Sequence, residues 1–151
     1  MAEDLKMVWD NDLGEGDFSF MDNDLERDTT LITAVYISIY TDKRARPDEG
    51  DQVDDVDDLR GWWGDQVSEI DDEIGSKLWL LARSKTTNQV EEKVKQYILD
   101  ALAWMIEDEI CIDIKVTTER YGHDRLYTLV ELYKLDGQSE AVKFDDLWEG
   151  L

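Results

Sequence analysis

The chain has one histidine and one cysteine, the two residue types most often used for nucleophilic catalysis. His123 precedes Asp124 in the segment YGHD, and Cys111 begins an alternating apolar segment. An imidazole beside a thiol can generate a nucleophile, but no Ser or Cys stands in a nucleophile motif here. A cysteine at the start of a strand more often serves as a small apolar residue. We therefore predict no catalytic residue from this pair.

Paired carboxylates offer a second chemistry, the hydrolysis of glycosidic bonds. Such enzymes need two carboxyl groups at a fixed separation, one of them in an apolar pocket. Glu107 and Glu109, at the end of an apolar helical segment, are the candidates. Because the chain holds 38 Asp and Glu, some will stand near aromatic residues by chance. Solvated surface carboxylates are the favoured interpretation, and a lysozyme-like glycosidase is kept as an alternative function.

Clusters of acidic residues could also hold a cation. The segments DNDLGEGD at residues 10–17 and DQVDDVDD at residues 51–58 are rich in oxygen ligands, but neither has the spacing of an EF-hand. A single cysteine excludes a multi-cysteine zinc site, and no glycine-rich phosphate-binding motif is present. We predict neither a metal site nor a cofactor.

The net charge restricts the partners. With 38 acidic and 16 basic residues the formal charge is -22, and the acidic excess is concentrated in the first half of the chain. No basic patch is available for phosphates, so direct nucleic-acid binding is not expected. A second alternative is an acidic protein-binding module that mimics DNA. The sequence has neither a membrane span nor a signal peptide, which predicts synthesis in the cytoplasm without a membrane contact.

The elements that would position these residues form an α+β pattern in a single domain covering residues 1–151. An apolar stripe over about residues 88–108 predicts one long amphipathic helix, with Asn88 and Glu91 as a capping box. Alternating residues over 110–144 predict antiparallel strands packed on that helix, with turns at YGHD and at Asp136–Gly137.

The first half of the chain is less regular. Two short strands are expected around LGEGD, and residues 29–42 fit a helix and a strand equally well. The acidic segment at about residues 46–58 contains the only proline and predicts a solvated loop. A short buried helix is expected at LWLLA, after the break at Gly75.

The segment RGWWGD, residues 60–65, places two tryptophans between glycines. Glycine permits a positive φ and a close backbone approach, and neighbouring residues of an extended chain point to opposite sides. One ring could then pack on LWLL, residues 78–81, while the other is exposed or held by a partner. Burial of both rings in the core is an equally weighted alternative. An exposed tryptophan would suit an interface.

Three motifs in a fixed order carry a family resemblance. TDKRA at residues 41–45 is followed by RGWWGD and then by GSKLWLL at residues 75–81, with ALAWMIEDEI further along the predicted long helix. In this order and spacing, from about Trp9 to Gly137, they resemble the Mu-like phage tail protein family named for gene 46 of phage Mu. That family is similar to the small lysozyme-like baseplate wedge proteins of contractile-tailed phages.

The resemblance implies a helix at residues 29–42 and a non-enzymatic, structural role in the tail baseplate of a contractile phage or prophage. The implied location is the virion, after synthesis in the bacterial cytoplasm, and any oligomer would form in the assembled baseplate. The implied partners are other baseplate proteins and the tail sheath, with strands of residues 110–144 adding to a neighbour's sheet. Arg44 and Arg60 are expected to pair with carboxylates of this chain or of a partner. The candidate interface or family-motif residues are Thr41, Asp42, Arg44, Arg60, Gly61, Trp62, Trp63, Gly64, Asp65, Gly75 and Trp79.

Overall fold

The computed structural model describes residues 4–10, 13, 15–28, 30–52, 59–67, 73–82, 87–122 and 125–150. The described residues between 4 and 28 form six short strands. These strands pair as three antiparallel two-stranded ladders, β1 with β6, β2 with β3 and β4 with β5. We call the described residues between 4 and 28 the N-terminal arm. Its strands are β1 (Asp4–Leu5), β2 (Met7–Asp10), β3 (Glu15–Phe18), β4 (Phe20–Met21), β5 (Asp24–Leu25) and β6 (Arg27–Asp28).

The three ladders of the arm meet at Lys6, Ser19 and Glu26. The Ser19 N–H donates to the Lys6 carbonyl over 2.9 Å, and the Glu26 N–H donates to the Ser19 carbonyl over 2.8 Å. The Glu26 carboxylate also accepts from the Lys6 ammonium at 2.8 Å and from the Ser19 hydroxyl at 2.7 Å. Backbone and side-chain hydrogen bonds therefore fix the point where the ladders join.

Helices and the larger sheet follow the arm. Helix α1 spans Ile32–Tyr40, helix α2 spans Asn88–Leu102 and the short helix α3 spans Trp104–Glu107. Strands β7 (Cys111–Tyr121), β8 (Arg125–Lys134) and β9 (Ser139–Phe144) form an antiparallel sheet in the order β7-β8-β9. Four 3₁₀ turns complete the described elements, at Pro47–Gln52, Trp63–Gln66, Leu78–Leu81 and Leu147–Gly150.

The main core lies between α1, α2 and the three-stranded sheet. One turn of α1 buries Val35 and Ile39, and these join apolar residues of the other two elements in one cluster. Its fully buried members include Leu78, Val94, Ile98, Leu102, Met105, Leu126, Val130, Leu132 and Leu147. A smaller cluster contains Ala45, Trp79 and Leu80, with Leu59 packed against it.

The arm is attached to α1 by aromatic stacking. The ring of Trp9 lies parallel to that of Tyr40, with centroids 3.9 Å apart and planes 8° from parallel. The Thr33 hydroxyl accepts from the Met7 N–H at 3.0 Å and donates to the Leu5 carbonyl at 3.2 Å. These contacts give the thin arm a fixed place on the helix.

The first turn of α1 is held by a residue far away in the sequence. Leu31 precedes the helix and offers no capping side chain, but its N–H donates to the Glu140 carboxylate on β9 at 2.7 Å. The same carboxylate is ion-paired with Lys134 of β8, whose side chain is 9% exposed. The unpaired N–H groups of a helix start require such an acceptor.

The α+β class is confirmed, and the ambiguous segment 29–42 contains a helix. The predicted helix over residues 88–108 is present as α2 and α3, which are separated by Ala103, a residue whose φ of -57° and ψ of -35° remain helical. The cap of α2 differs from the prediction, because the Thr87 hydroxyl rather than the Asn88 side chain accepts from the Val90 N–H.

The predicted C-terminal strands are present, but the alternation at the start of β7 is wrong. The β7–β8 register shifts between Cys111 and Asp113, which indicates a bulge. As a result Cys111 and Ile114 are buried while Ile112 is 62% exposed. The extra residue of a bulge moves the side chains before it to the opposite face of the sheet. A strict alternation of apolar and polar residues does not predict this change of face.

The acidic segment is only partly described. Residues 47–52 form a 3₁₀ turn rather than the predicted irregular loop, while residues 53–58 lie outside the described ranges, as does His123. Within the described ranges, no helix combines the length and apolar character needed to cross a membrane.

Candidate functional site

The TDKRA segment begins where α1 ends. The Thr41 N–H makes the last helical hydrogen bond, to the Ile37 carbonyl at 3.1 Å, and the chain then becomes extended. The Lys43 N–H donates to the Ser76 carbonyl and the Ser76 N–H to the Thr41 carbonyl, both over 2.9 Å. A single parallel bridge, Asp42 with Ser76, thus joins the first motif to the third.

Gly75 and Ser76 complete this junction. Gly75 has a φ of +103°, and a Cβ there would collide with the Thr41 carbonyl oxygen, so glycine is required both for conformation and for space. The Ser76 hydroxyl donates to the Ile39 carbonyl at 2.6 Å. It thereby satisfies one of the carbonyls left unpaired at the end of α1.

Trp79 joins all three motifs. Its ring N–H donates to the Lys43 carbonyl at 2.9 Å, and its side chain is buried. The guanidinium carbon of Arg60 lies 4.6 Å from the centre of the Trp79 ring, a cation–π contact. Arg60 also pairs with Asp42 at 2.9 Å. The expectation that Arg60 pairs inside the chain is confirmed.

A sharp turn follows Arg60. Arg60 and Gly61 have positive φ values of 50° and 107°, and a Cβ on Gly61 would lie 2.8 Å from the Arg44 Cβ. The Arg44 guanidinium donates to the Arg60 carbonyl at 3.2 Å, and the Ala45 N–H to the Leu59 carbonyl at 2.8 Å. RGWWGD is therefore pressed against TDKRA through its backbone.

Both tryptophans of RGWWGD lie on the surface. Trp62 is 43% exposed and Trp63 is 71% exposed, and their ring centres are 5.4 Å apart. The alternative that both rings are buried in the core is wrong, and the group found over the Trp79 ring is the Arg60 guanidinium. Because a 3₁₀ turn begins at Trp63, the two rings share one side rather than pointing apart as in a strand. Trp62 lies over Gly64, where a Cβ would overlap its ring.

The same surface continues beyond the tryptophans. Val67, at the end of the 3₁₀ turn, is 73% exposed, and we call Trp62, Trp63 and Val67 the tryptophan corner. Asp65, also in the turn, accepts from the Ile74 N–H at 3.3 Å. This bond ties the turn to the residues just before Gly75. The corner is therefore apolar on its outer side and fastened on its inner side.

A groove of about 1110 Å³ lies beside these motifs, between residues 43–47, residues 73–77 and the helices. Lys43, Arg44 and Arg46 provide basic groups along it, while Glu107 and Asp108 provide acidic groups. Apolar residues, among them Ala34, Ile37, Ala101, Ala103 and Trp104, also line it. Such a surface suits a protein segment that carries charges of both signs around an apolar strip.

An ion pair of Lys77, a residue that lines the groove, joins the acidic segment to the third motif. Lys77 pairs with Glu49 at 2.9 Å, and each side chain is at most 20% exposed. Burial raises the pKa of Glu49, but the Arg46 N–H and the Lys77 ammonium outweigh it, so that this pKa lies below its ordinary value. The carboxylate is thus held ionised where it fastens residues 47–52.

The described groups that were considered for catalysis are Glu107, Glu109 and Cys111. Glu107 and Glu109 are exposed, which is not the apolar environment that a glycosidase acid needs. Cys111 is 2% exposed, and burial raises the pKa of its thiol. Over the ranges that the structure describes, no group of three His, Cys, Asp or Glu is arranged to hold a metal ion.

All eleven candidate residues therefore lie in or beside one junction of three motifs. Thr41, Asp42, Gly61, Gly75 and Trp79 build it, while Trp62 and Trp63 are displayed by it. Sequence reasoning missed Lys43, Ser76 and Val67. The first two stood inside the quoted motifs, and a lone valine after RGWWGD carries no signal of its own.

Comparison with known proteins gives the family. A model of the family described as "Phage protein GP46" matches residues 31–139. The chain belongs to this family. It is 37% identical to the "Baseplate protein gp46" of Escherichia phage Mu, over 98% of this chain and 99% of that protein. It is 31% identical to the "Mu-like prophage FluMu protein gp46" of Haemophilus influenzae, over 96% of this chain and 97% of that protein. No solved structure matches the chain.

Proposed function

We propose that this member of the GP46 family is a single-domain, non-enzymatic structural subunit of the tail baseplate of a contractile phage or prophage, located in the virion. The family match and the full-length similarity to a Mu protein named as a baseplate protein support this role. The structural observation that carries it is the tryptophan corner, an exposed aromatic surface on a rigid junction of the family motifs.

The corner has the properties of a protein interface. Tryptophan combines a large apolar area with a polar N–H and is frequent among residues that dominate binding. Two hydrogen bonds hold the corner in place before any partner arrives: the Ala45 N–H donates to the Leu59 carbonyl, and the Asp65 carboxylate accepts from the Ile74 N–H. Little conformational entropy is therefore lost on binding. Arg44 is exposed in the neighbouring motif and adds a cation able to pair with a partner's acidic group.

A sheath contact would use the C-terminal sheet. In the order β7-β8-β9 both outer strands pair on one side only within the described ranges. β7 has eleven residues and offers the longer open edge. An extended segment of a sheath or baseplate neighbour would add to such an edge through backbone hydrogen bonds.

The first experiment compares Trp63→Ala with the matched control Leu135→Ala, which also removes an exposed apolar side chain. Each variant replaces the wild type in a phage-producing strain, and mass spectrometry measures its amount in purified tails. We expect the wild type and Leu135→Ala to be present in the tails in similar amounts. We expect Trp63→Ala to fold but to be strongly depleted from the tails. Absence of the wild-type chain from tails would refute the baseplate role, and normal incorporation of Trp63→Ala would refute the role of the corner.

The glycosidase alternative is tested separately with purified chain and peptidoglycan over a range of pH. We expect no hydrolysis above background. Hydrolysis by wild type that is lost in folded Glu107→Gln would overturn the non-enzymatic proposal.

A further inference from the structure

The N-terminal arm carries a second group of exposed apolar side chains, away from the family motifs in sequence. Leu13, Phe20 and Met21 are 69%, 68% and 61% exposed, and Val8 and Phe18 are also exposed. Large apolar side chains this exposed are unremarkable one at a time, but a concentration of them indicates an interaction site.

The exposure follows from the architecture of the arm. A two-stranded ribbon has two faces and no layer above it, so it cannot bury its own apolar residues. All four residues of β3, Glu15–Phe18, are exposed, as are both residues of β4. The contacts that hold the arm to α1 through Trp9 and Thr33 lie at the β1–β2 side. The β4–β5 hairpin is left uncovered by the described part of the chain.

The hairpin nevertheless has a fixed shape. Asp22 and Asn23 have φ values of 52° and 70°, and Met21 pairs with Asp24 across them. Two central residues with positive φ are typical of the type I′ turn, the tight connection that matches strand twist. Behind the turn, the Glu26 carboxylate binds both Lys6 and Ser19. The surface is therefore formed in advance of any contact.

The charge of the arm specifies its partner. Residues 4–28 contain Asp or Glu at nine positions and Lys or Arg at two, Lys6 and Arg27. Phosphate groups of nucleic acid or of an anionic membrane would be repelled by this segment. A second copy of the chain, with a formal charge of -22, would be repelled as well. A protein surface rich in Lys and Arg is attracted.

We infer that the β4–β5 hairpin is a second docking element, which places Phe20 in an apolar pocket rimmed by Lys or Arg on another protein. Phe and Met are enriched in the cores of protein interfaces, and charges of opposite sign around them fix the orientation. The inference goes beyond the proposed function and uses none of the residues of the tryptophan corner. It rests on that function only in seeking the partner in phage-producing cells.

The test replaces Phe20 with the photo-reactive residue p-benzoyl-phenylalanine in such cells, with Tyr121 replaced in the same way as a control. Tyr121 is aromatic and 75% exposed, so it matches Phe20 in type and accessibility. After irradiation of whole cells, mass spectrometry identifies the cross-linked chain and the attached residue. We expect the Phe20 probe to give one dominant product, attached to an apolar residue with Lys or Arg close to it, and the Tyr121 probe not to give that product.

Charge variants complete the test. The charge-reversed chain combines Asp17→Lys with Asp24→Lys in the Phe20 probe strain. Its cross-link yield should be at least about tenfold lower. The double Asn variant at these two positions should lower the yield less. Since all these side chains are exposed, folding should be unchanged, and circular dichroism of the purified chains checks this. Cross-linking to a second copy, to lipid, to a segment without basic residues, or not at all would overturn the inference, as would insensitivity to charge reversal. Tail incorporation of the Phe20 probe chain without charge changes is measured in parallel. If that chain enters tails normally but gives no cross-link, this inference alone is refuted.

Discussion

Glu140 should be one of the most sensitive polar positions in the fold. Its carboxylate makes two contacts at once, accepting from the Leu31 N–H at the start of α1 and pairing with the Lys134 ammonium. Glu140→Gln keeps the size of the side chain and an oxygen for Leu31, but removes the negative charge. Lys134, with a side chain only 9% exposed, is then left as a buried cation without its anion.

The cost follows from that burial. Removing one partner of a fully buried ion pair destabilises a protein by about 3–5 kcal/mol. The Glu140 side chain keeps 18% of its exposure, so water screens part of the loss, and we expect about 2–4 kcal/mol. For a chain of this size about 1 kcal/mol corresponds to roughly 2–4 °C in Tm. The expected decrease in Tm is therefore about 4–16 °C.

Urea denaturation followed by circular dichroism measures this free energy. The control is Glu92→Gln, which breaks the exposed pair with Lys95 and should cost no more than about 0.5 kcal/mol. In the double variant Glu140→Gln with Lys134→Met, the stranded charge is gone and most of the loss should be recovered. The reasoning is refuted if Glu140→Gln costs no more than Glu92→Gln, or if the double variant is as unstable as the single one.

Three further measurements test other parts of the structure. Gly75→Ala should lower the free energy of unfolding by more than about 3 kcal/mol, because strain at a φ of +103° adds to a collision with a backbone oxygen. Gly137 has a φ of +82° and open space around it, so Gly137→Ala should lower the same free energy by only about 1–2 kcal/mol. Urea denaturation measures both losses, and equal losses would contradict the packing described at Gly75. The pKa of Glu49 is lowered in the folded state, so its pairing with Lys77 stabilises the fold above the ordinary pKa of 4.5. This stabilisation is lost as the pH falls through the lower pKa of the folded state. Glu49→Gln should remove this part of the dependence of Tm on acid pH, and a Tm–pH profile equal to that of wild type would contradict the argument. Cys111 should react with a thiol reagent at pH 8 only when urea unfolds the chain, since burial both shields the thiol and raises its pKa; fast labelling of the folded chain would be the contrary result.

The C-terminal half was more predictable than the N-terminal half because its patterns are long. The apolar stripe of α2 and the alternation of β8 each extend over ten or more residues, so single exceptions do not hide the period. The bulge at Ile112 is a local departure that no period contains. The cap at Thr87 differs from the predicted capping box because neighbouring polar residues compete for the same N–H groups.

The three motifs that meet could be identified in the sequence, but the geometry of their contacts could not, and their role as an interface stays a prediction. That geometry depends on tertiary contacts between segments about 15 to 40 residues apart in the sequence. Arg60 lies over Trp79 where the positive φ values of Arg60 and Gly61 turn the chain. The helix at Ile32–Tyr40 shows the same principle, since Val35 and Ile39 are buried together only against the sheet and α2.

The bond between Leu31 and Glu140 joins residues 109 positions apart, and this has a consequence for the order of folding. β9 also supplies Phe144, whose ring meets Tyr36 and Tyr40 edge-on. During synthesis α1 leaves the ribosome long before β9 exists, so the early helix has neither its acceptor nor its aromatic neighbour. Contacts this distant are slow to form, because much of the chain must be ordered first. The first half of the chain should therefore remain incompletely folded until β9 has been synthesised. A chain that stops after β8 should expose α1 to chaperones and proteases.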